Sequence, residues 1–314
     1  WIKSALKAAA SEAVKAVAPP SYRTPKDQMK DHILYIRSFA DATLLEKSAD
    51  WDKLVMSYRV PEELDGVMML LESENPHADK IHEDPNKCSC TLLFLEENVM
   101  ETLCQLLYLE RSANLIRCVL KAVIRALKLN FELLDNGSIA KAVMAVTERL
   151  EFSTHRPGFA LQHCELLNAL CVKVQRHPAS LLPVVFSSDV STGGFGQELL
   201  LLNWAVQHIH DPSGGEYAQR GVLSLLQIPD PSIVEAACRH SALLERTTRM
   251  VDAAFHSAMK RLDSCEGAMD EVGARRSRPD PTALYRAFRF VDQVVAVADF
   301  EITAQLLHMV DTQF

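Results

Sequence analysis

Apolar residues recur at helical spacing through most of the chain, in short segments that prolines separate. The pattern is clearest at Ala218, Val222 and Leu225, which fall on one face of a short helix. Pro229 and Pro231 end that helix, because proline lacks an N–H group and restricts the residue before it. A helix, a proline-containing turn and two more helices form the unit of armadillo and HEAT-like repeats.

The two helices after the proline turn carry the same signal. Asp230 and Ser232 are candidate N-caps of the first, and the second begins near Leu243. Their predicted inward residues are Ile233, Val234, Ala237, Cys238, Leu244, Thr248, Val251, Ala254 and Phe255. None of these helices could bury its apolar face alone, so each needs a neighbouring repeat. We therefore predict an all-α fold: an armadillo or HEAT-like α-solenoid, a curved array of antiparallel helices with essentially no sheet.

Further helices are predicted on both sides of this segment, and only 11 glycines in 314 residues favour helices over a turn-rich fold. The longest one free of interruptions is predicted over residues 112–134, and the next begins with Ser138 as N-cap after a helix C-terminus at Gly137. The other predicted helices cover residues 29–46, 51–58, 62–74, 88–98, 99–110, 139–150, 159–176, 179–186 and 197–210, and two more follow Pro281. Residues 75–87 and 260–281 are polar and are predicted to be loops.

We divide the chain into an amphipathic N-terminal helix in residues 1–20, a linker and helix in residues 21–50, and an α-solenoid domain in residues 51–314. Residues 1–18 combine Trp1, Ile2 and Leu6 with lysines, as interfacial helices do. Contact with a membrane surface or a partner, and packing of an alanine-rich arm on the solenoid, both stay open. Because the sequence stops inside a helical pattern, we expect the solenoid to be truncated at its C-terminal end.

The charge and the cysteines narrow the class of function. The net charge of −8 argues against non-specific nucleic-acid binding, which needs a basic surface. Eight cysteines are spread through apolar helical segments, and we interpret them as reduced core residues of an intracellular protein. No apolar run approaches the roughly 20 residues that span a bilayer. Arg275, Arg276 and Arg278 form a basic cluster that either is solvated or meets an acidic partner.

One segment contains residue types that could bind zinc. His77, His82, Cys88 and Cys90 lie within fourteen positions of one another. A Cys-x-Cys pair chelates zinc poorly compared with Cys-x₂₋₄-Cys, and no second cysteine pair lies nearby in the sequence. We therefore predict no metal.

No catalytic motif is present in the sequence. His163 is predicted to be a helix residue with satisfied hydrogen bonds, and Cys171 an inert core thiol. The glycines of residues 192–196 lack the Lys-Ser/Thr of a phosphate-binding loop. We predict no catalytic residue and no cofactor, and the partner-binding residues stay unknown. An enzyme with an unrecognised helical active site is a further alternative, which a convergent, desolvated polar pocket would favour.

Three segments resemble the Hook-interacting proteins of the complex that contains Fused Toes and Hook, the FHIP (retinoic-acid-induced-like) family. They are Cys90-Thr-Leu-Leu-Phe-Leu-Glu-Glu-Asn-Val-Met-Glu-Thr-Leu-Cys104, Gln219-Arg-Gly-Val-Leu-Ser-Leu-Leu-Gln-Ile-Pro-Asp-Pro231 and Ala283-Leu-Tyr-Arg-Ala-Phe-Arg-Phe-Val-Asp-Gln-Val-Val295. The likeness is one of helices and apolar positions, and residues 21–50 match poorly.

The resemblance implies a non-enzymatic adaptor that links the dynein motor to early endosomes. Its partners would be homologues of Hook and Fused Toes, with a Rab GTPase as the further membrane link, and its location would be cytoplasmic and endosomal. The alternative is an unrelated helical-repeat module that binds proteins or serves as a regulatory subunit.

Overall fold

The computed structural model describes residues 24–45, 50–81, 84–186, 198–266 and 281–313. The predictions for residues 1–18 and 187–196, for His82 and for the basic cluster at 275–278 lie outside these ranges. Within them the protein is all-α, as predicted, and the β-type pairing is limited to one isolated bridge between Phe186 and Leu199.

The described ranges contain the following α-helices, numbered in chain order. They are α1 Pro25–Leu45, α2 Trp51–Ser57, α3 Val60–Glu74, α4 Ser89–Glu96, α5 Val99–Tyr108, α6 Ala113–Lys128, α7 Gly137–Glu151, α8 Ala160–Arg176, α9 Pro178–Val185, α10 Leu200–Gln207, α11 Gly215–Leu226, α12 Pro231–Glu235, α13 Leu243–Glu266, α14 Pro281–Val297 and α15 Phe300–Gln313. A π-helical turn, Ala236–His240, extends α12.

The chain forms two compact units. The first comprises residues 1–102 and 129–131, and the second comprises residues 103–128 and 132–314. In each unit most helices pack on helices close to them in the sequence, as in stacked helical repeats. The predicted domain boundary at residue 51 stays a prediction.

In the first unit, α1 packs on α3 and α4. Gly66 permits this approach, because a Cβ atom at that position would lie 2.5 Å from the ring of His32. The His32 Nδ1 lies 2.7 Å from Glu63 Oε2, which holds the ring in place. The glycine that interrupts the helical pattern of α3 is therefore a site of close packing.

A buried carboxylate ties α3 to α4. Glu74 is only 8% exposed and accepts hydrogen bonds from the backbone N–H groups of Cys90 and Thr91, each at 2.8 Å, and from Thr91 Oγ1 at 2.9 Å. These N–H groups belong to the first turn of α4, where no helical carbonyl can accept them. The segment before α4 contains the 3₁₀ helices Asn75–Lys80 and Pro85–Cys88, so the prediction of an irregular loop over residues 75–87 is wrong.

In the second unit, α6 packs on α8, α8 on α11, and α13 on α14 and α15. The α8–α11 crossing is close at Gly221, where a Cβ atom would lie 3.2 Å from Cys171 Sγ and 3.3 Å from Asn168 Cα. A side chain at residue 221 would force the two helices apart. This crossing also lies beside the candidate site described below, because α8 supplies one of its residues.

The predicted helix over residues 112–134 is shorter than expected. It ends at Lys128 with 16 residues, whereas α13 has 24. The chain leaves the helix because the Asn130 N–H donates to Asn75 Oδ1 at 2.7 Å instead of to a helical carbonyl. Residues Leu133–Asp135 then form a separate 3₁₀ turn.

The next helix is capped by a different residue from the one predicted. Asn136 is the N-cap of α7, and its Oδ1 accepts the Ser138 N–H at 3.0 Å. Gly137 is the first helical residue rather than the C-terminus of the preceding helix. Asparagine and serine are equally good N-caps, so the sequence alone did not favour the correct one.

The helices after residue 243 differ from the prediction in extent and in register. α13 continues to Glu266, so residues 260–266 are helical rather than part of a polar break. Phe288 and Leu307, which lie at helical spacing among the apolar residues after Pro281, are about half exposed, whereas Phe290 is fully buried. Both Phe288 and Phe290 fit an apolar face, and only the packing partners select between them.

Candidate functional site

Three polar side chains from separate elements meet inside the second unit. Glu151 ends α7, His163 lies in the first turn of α8, and His208 is the C-cap of α10. Glu151 Oε2 lies 2.8 Å from His208 Nε2 and 3.7 Å from His163 Nε2. The three side chains are at most 4% exposed, so the cluster is desolvated.

His163 is the least satisfied member of this cluster. Neither of its ring nitrogens forms a hydrogen bond with good geometry, although the residue is fully buried. Burial lowers the pKa of His163 to about 4, against the opposing pull of the Glu151 charge, so the ring is neutral at pH 7. The sequence predicted that His163 is a core or helix-surface residue with satisfied hydrogen bonds. The expectation of satisfied hydrogen bonds is therefore wrong.

Arg156 reaches the cluster from the 3₁₀ turn Arg156–Gly158. Its Nη1 lies 3.4 Å from Glu151 Oε1, and its Nη2 contacts the ring nitrogens of His208. Because His208 Nε2 faces the carboxylate as a donor, Nδ1 is the acceptor left for the guanidinium. The side chain of Arg156 is 29% exposed, so it approaches the cluster from the surface.

The charge on Glu151 is stabilised by its neighbours. Burial alone would raise the pKa of Glu151, but the hydrogen bond to His208 and the nearby positive charges hold the pKa below its usual value. The carboxylate is therefore ionised at pH 7, with the guanidinium of Arg156 as its counter-ion. A buried charge of this kind is tolerated only when it is paired and hydrogen-bonded.

This cluster was missed by the sequence analysis. One signal was present: His163 occupies a position of the inward face of α8, four residues after Phe159 and four before Leu167, both of them buried. A polar residue on a buried face needs a partner. The partners are 12 and 45 positions away in the chain, and helical periodicity does not connect residues at such distances.

The cluster has the composition of a metal site. Among the described residues, Glu151, His163 and His208 are the group of three whose potential ligand atoms all lie within 4.8 Å of one another. Of the zinc-ligand candidates discussed from the sequence, those that the structure describes, His77, Cys88 and Cys90, form no such group. His77 is exposed and accepts the Cys88 thiol through its backbone carbonyl at 3.4 Å, while Cys90 is buried beside Glu74.

Thiol chemistry is not favoured in the core. Burial raises the pKa of Cys90, Cys164 and Cys171 to about 12 each, so these thiols are protonated at neutral pH. The structure describes the side chains of seven cysteines, which form no disulfide with one another, and five of them are buried. This agrees with the prediction of inert core thiols, Cys171 included.

A second feature of the same unit is an open groove of about 660 Å³. It lies where the Pro229–Pro231 turn faces the connection between α14 and α15, and Ile228, Ile233 and Ile302 contribute to its floor. Its charged residues are Asp230, Glu235, Arg239, Asp299 and Glu301. Four acidic groups and one arginine give the rim a negative charge.

Comparisons with known proteins supply no relative. The sequence matches no family model and has no significant match among curated proteins. Within the described ranges, no helix is both long and apolar enough to cross a bilayer.

Proposed function

We propose that this chain is a non-enzymatic helical scaffold that binds a protein partner through the groove at residues 228–235. The groove is open to solvent and combines isoleucines with a negatively charged rim. It fits an extended segment that carries lysine or arginine beside apolar side chains, because opposite charges steer and orient a partner. The buried Glu151 cluster offers no comparable access for a substrate, since its three side chains are at most 4% exposed.

Exposed aromatic residues at the start of α15 and on α14 support the same proposal. Phe300 is 84% exposed and lies between Asp299 and Glu301 in the sequence, both of which line the groove. On α14, Tyr285 and Phe288 are 64% and 49% exposed. Large aromatic side chains are the residues that most often supply the binding energy of protein interfaces.

We further propose that the scaffold is an adaptor of the Hook-interacting kind, in the cytoplasm and on early endosomes. The segment resembling that family at Gln219–Pro231 ends in the turn that forms one wall of the groove, and the segment at Ala283–Val295 lies in α14. The partners would then be Hook and Fused Toes homologues, with a Rab GTPase as a further link to the membrane. The alternative is an unrelated helical-repeat protein or regulatory subunit that uses the same groove.

Charge reversal in the groove tests the binding proposal. Glu235→Lys and Glu301→Lys, in a full-length protein expressed in the source cells, should reduce co-precipitation of the partner at least about tenfold, since each introduces like-charge repulsion. Glu245→Lys is the matched control: Glu235 and Glu245 are each exposed and each pair with an arginine four residues later. Equal binding by Glu235→Lys and Glu245→Lys would place the partner site elsewhere.

The identity of the partner tests the adaptor proposal separately. The wild-type protein should co-precipitate the homologous Hook protein, and deletion of the gene should slow the movement of early endosomes. The adaptor proposal would be rejected by normal endosome movement together with a non-Hook partner whose binding depends on Glu235. The scaffold proposal would then remain.

A further inference from the structure

We propose that Glu151, His163 and His208 bind one Zn²⁺ ion inside the second unit. Two histidines and a glutamate are a ligand set that zinc takes in proteins. Bonds of about 2.0–2.1 Å in a tetrahedral arrangement place ligand atoms about 3.3 Å apart. The Glu151 Oε2 lies 2.8 and 3.7 Å from the two histidine Nε2 atoms, and one ligand atom of each residue lies within 4.8 Å of the other two, so small shifts of the side chains would bring them to this spacing.

The unsatisfied ring of His163 is the observation that favours an ion over a purely structural polar cluster. A buried polar group without a hydrogen bond destabilises the folded chain. His163 is fully buried, its Nε2 lies 3.7 Å from Glu151 Oε2, and neither nitrogen forms a hydrogen bond of good geometry. A cation between the two residues would satisfy Nε2 and would keep the carboxylate charge compensated.

Arg156 is the competitor of the ion. Its guanidinium contacts His208 Nε2, the atom that the ion would bind, and Glu151 Oε1, the carboxylate oxygen beside the one that the ion would bind. A metal on His208 Nε2 requires the ring proton on Nδ1, and that proton removes the acceptor of the Arg156 hydrogen bond. The two states therefore exclude each other. Since the Arg156 side chain is 29% exposed and comes from a short turn, it can move into solvent when the ion binds.

The bound ion would join three elements, α7, α8 and the end of α10, with a water molecule as its fourth ligand. This role is independent of the groove, so the scaffold proposal and the zinc proposal can fail separately. Binding to the folded chain alone would raise its thermal stability in proportion to the logarithm of the zinc concentration.

The first test uses the wild-type chain. Metal is removed with a chelator, Zn²⁺ or Co²⁺ is added, and the bound metal per chain is measured after gel filtration. We expect one equivalent, an intense visible spectrum of tetrahedral Co²⁺, and two imidazole ligands by X-ray absorption at the zinc edge. No retained metal, or a zinc ion without imidazole ligands, would overturn the proposal.

Three variants distinguish a built site from surface binding. His163→Gln removes a direct ligand, so the affinity for zinc should fall by more than a factor of roughly 10–100. A factor of that size is typical of a change to a group that only orients a ligand. His155→Gln, at an exposed histidine nearby, should leave the affinity unchanged. Arg156→Gln should strengthen zinc binding at least about tenfold, because a competing positive charge is removed.

Equal zinc affinity of His163→Gln and wild type would refute the site, as would weaker binding by Arg156→Gln. If His163→Gln is unfolded by circular dichroism, the ligand count of the wild-type zinc form decides.

Discussion

The two units each bury a glutamate, and they stabilise it in different ways. Glu74 in the first unit is 8% exposed and accepts three hydrogen bonds, all from Cys90 and Thr91 at the start of one helix. Glu151 in the second unit is 5% exposed and faces the ionisable side chains of His163, His208 and Arg156. Backbone N–H groups have a fixed position and do not titrate near neutral pH. Side-chain donors can move, change protonation or be replaced by an ion, so the second arrangement is the one suited to a ligand.

The largest effect should come from removing the carboxylate of the second unit. Glu151→Ala removes the carboxylate that faces the buried His208 and the partly exposed Arg156, and we expect a loss of about 3–5 kcal/mol in the free energy of unfolding. Glu148→Ala, at an exposed position of the same helix, should change it by less than about 0.5 kcal/mol. Urea unfolding of both variants measures the difference. A loss below about 1 kcal/mol for Glu151→Ala would mean that the cluster is hydrated.

An apolar residue of the same unit provides a reference value. Leu120 is fully buried in α6, and Leu120→Ala should cost about 2–5 kcal/mol through lost burial and a cavity. Unlike the loss at Glu151, this one should be the same at pH 7 and pH 5, because no ionisable group is removed. An unchanged urea midpoint would show that the register of α6 is wrong.

The pH dependence of stability should distinguish the side-chain cluster from the apolar core around it. The pKa of His163 falls from 6.5 to about 4 on folding, so the unfolded chain takes up a proton first as the pH decreases. The part of the stability that depends on a neutral His163 is complete above pH 6.5 and is lost progressively towards pH 4. The pKa of Glu151 is also lowered on folding, and its contribution is lost below its usual value of 4.5.

We expect the metal-free chain to lose roughly 2–3 kcal/mol of stability between pH 7 and pH 4.5 through His163. The measurement is urea unfolding at both pH values with a chelator present. His163→Gln should remove most of this dependence, and an identical slope in the variant would assign the titration to other groups.

The backbone-bound carboxylate should be less costly to alter. In Glu74→Gln one acceptor oxygen is replaced by an NH₂ group that faces the donors of Cys90 and Thr91, and we expect a loss of about 1–3 kcal/mol. Glu62→Gln, at an exposed position of the same helix, should have an effect of a few tenths of a kcal/mol. Thermal unfolding followed by circular dichroism compares the two variants. No difference between them would show that α4 does not need this cap.

The smallest effect concerns a helix cap that leads into the cluster. Asn136→Ala removes the side chain that caps α7, the helix that ends at Glu151, and should cost about 1 kcal/mol. Ser138→Ala, the cap predicted from sequence, should cost less, because only a hydroxyl contact to Asn136 is lost. A larger loss of thermal stability in Ser138→Ala than in Asn136→Ala would instead identify Ser138 as the cap.

Periodicity was sufficient to predict the helices but not the residues at which they end or the cluster. The apolar face of α8 was identified because Cys164, Leu167 and Leu170 repeat at helical spacing and are buried. The end of α6 was missed because it depends on a bond from Asn130 to Asn75, 55 positions away. Contacts at such separations are set by tertiary packing, which local propensity does not encode.

The candidate site was missed for the same reason. His163 carried one signal, its position on the buried face of α8, but nothing in the sequence links it to Glu151 or His208, and only the fold brings the three together. The groove was visible only in part: the Pro229–Pro231 turn was predicted, but the acidic residues opposite it belong to the α14–α15 connection, about 70 positions later.

Because the buried thiols have raised pKa values, their reactivity measures separately how often each unit opens. A thiol with a pKa of about 12 and no exposed surface reacts with an alkylating reagent only while its surroundings are open. Cys90 lies in the first unit and Cys171 in the second. Their alkylation rates, read by mass spectrometry on a single sample, therefore give two separate opening free energies. A ligand that binds only the second unit would slow the reaction of Cys171 and leave that of Cys90 unchanged.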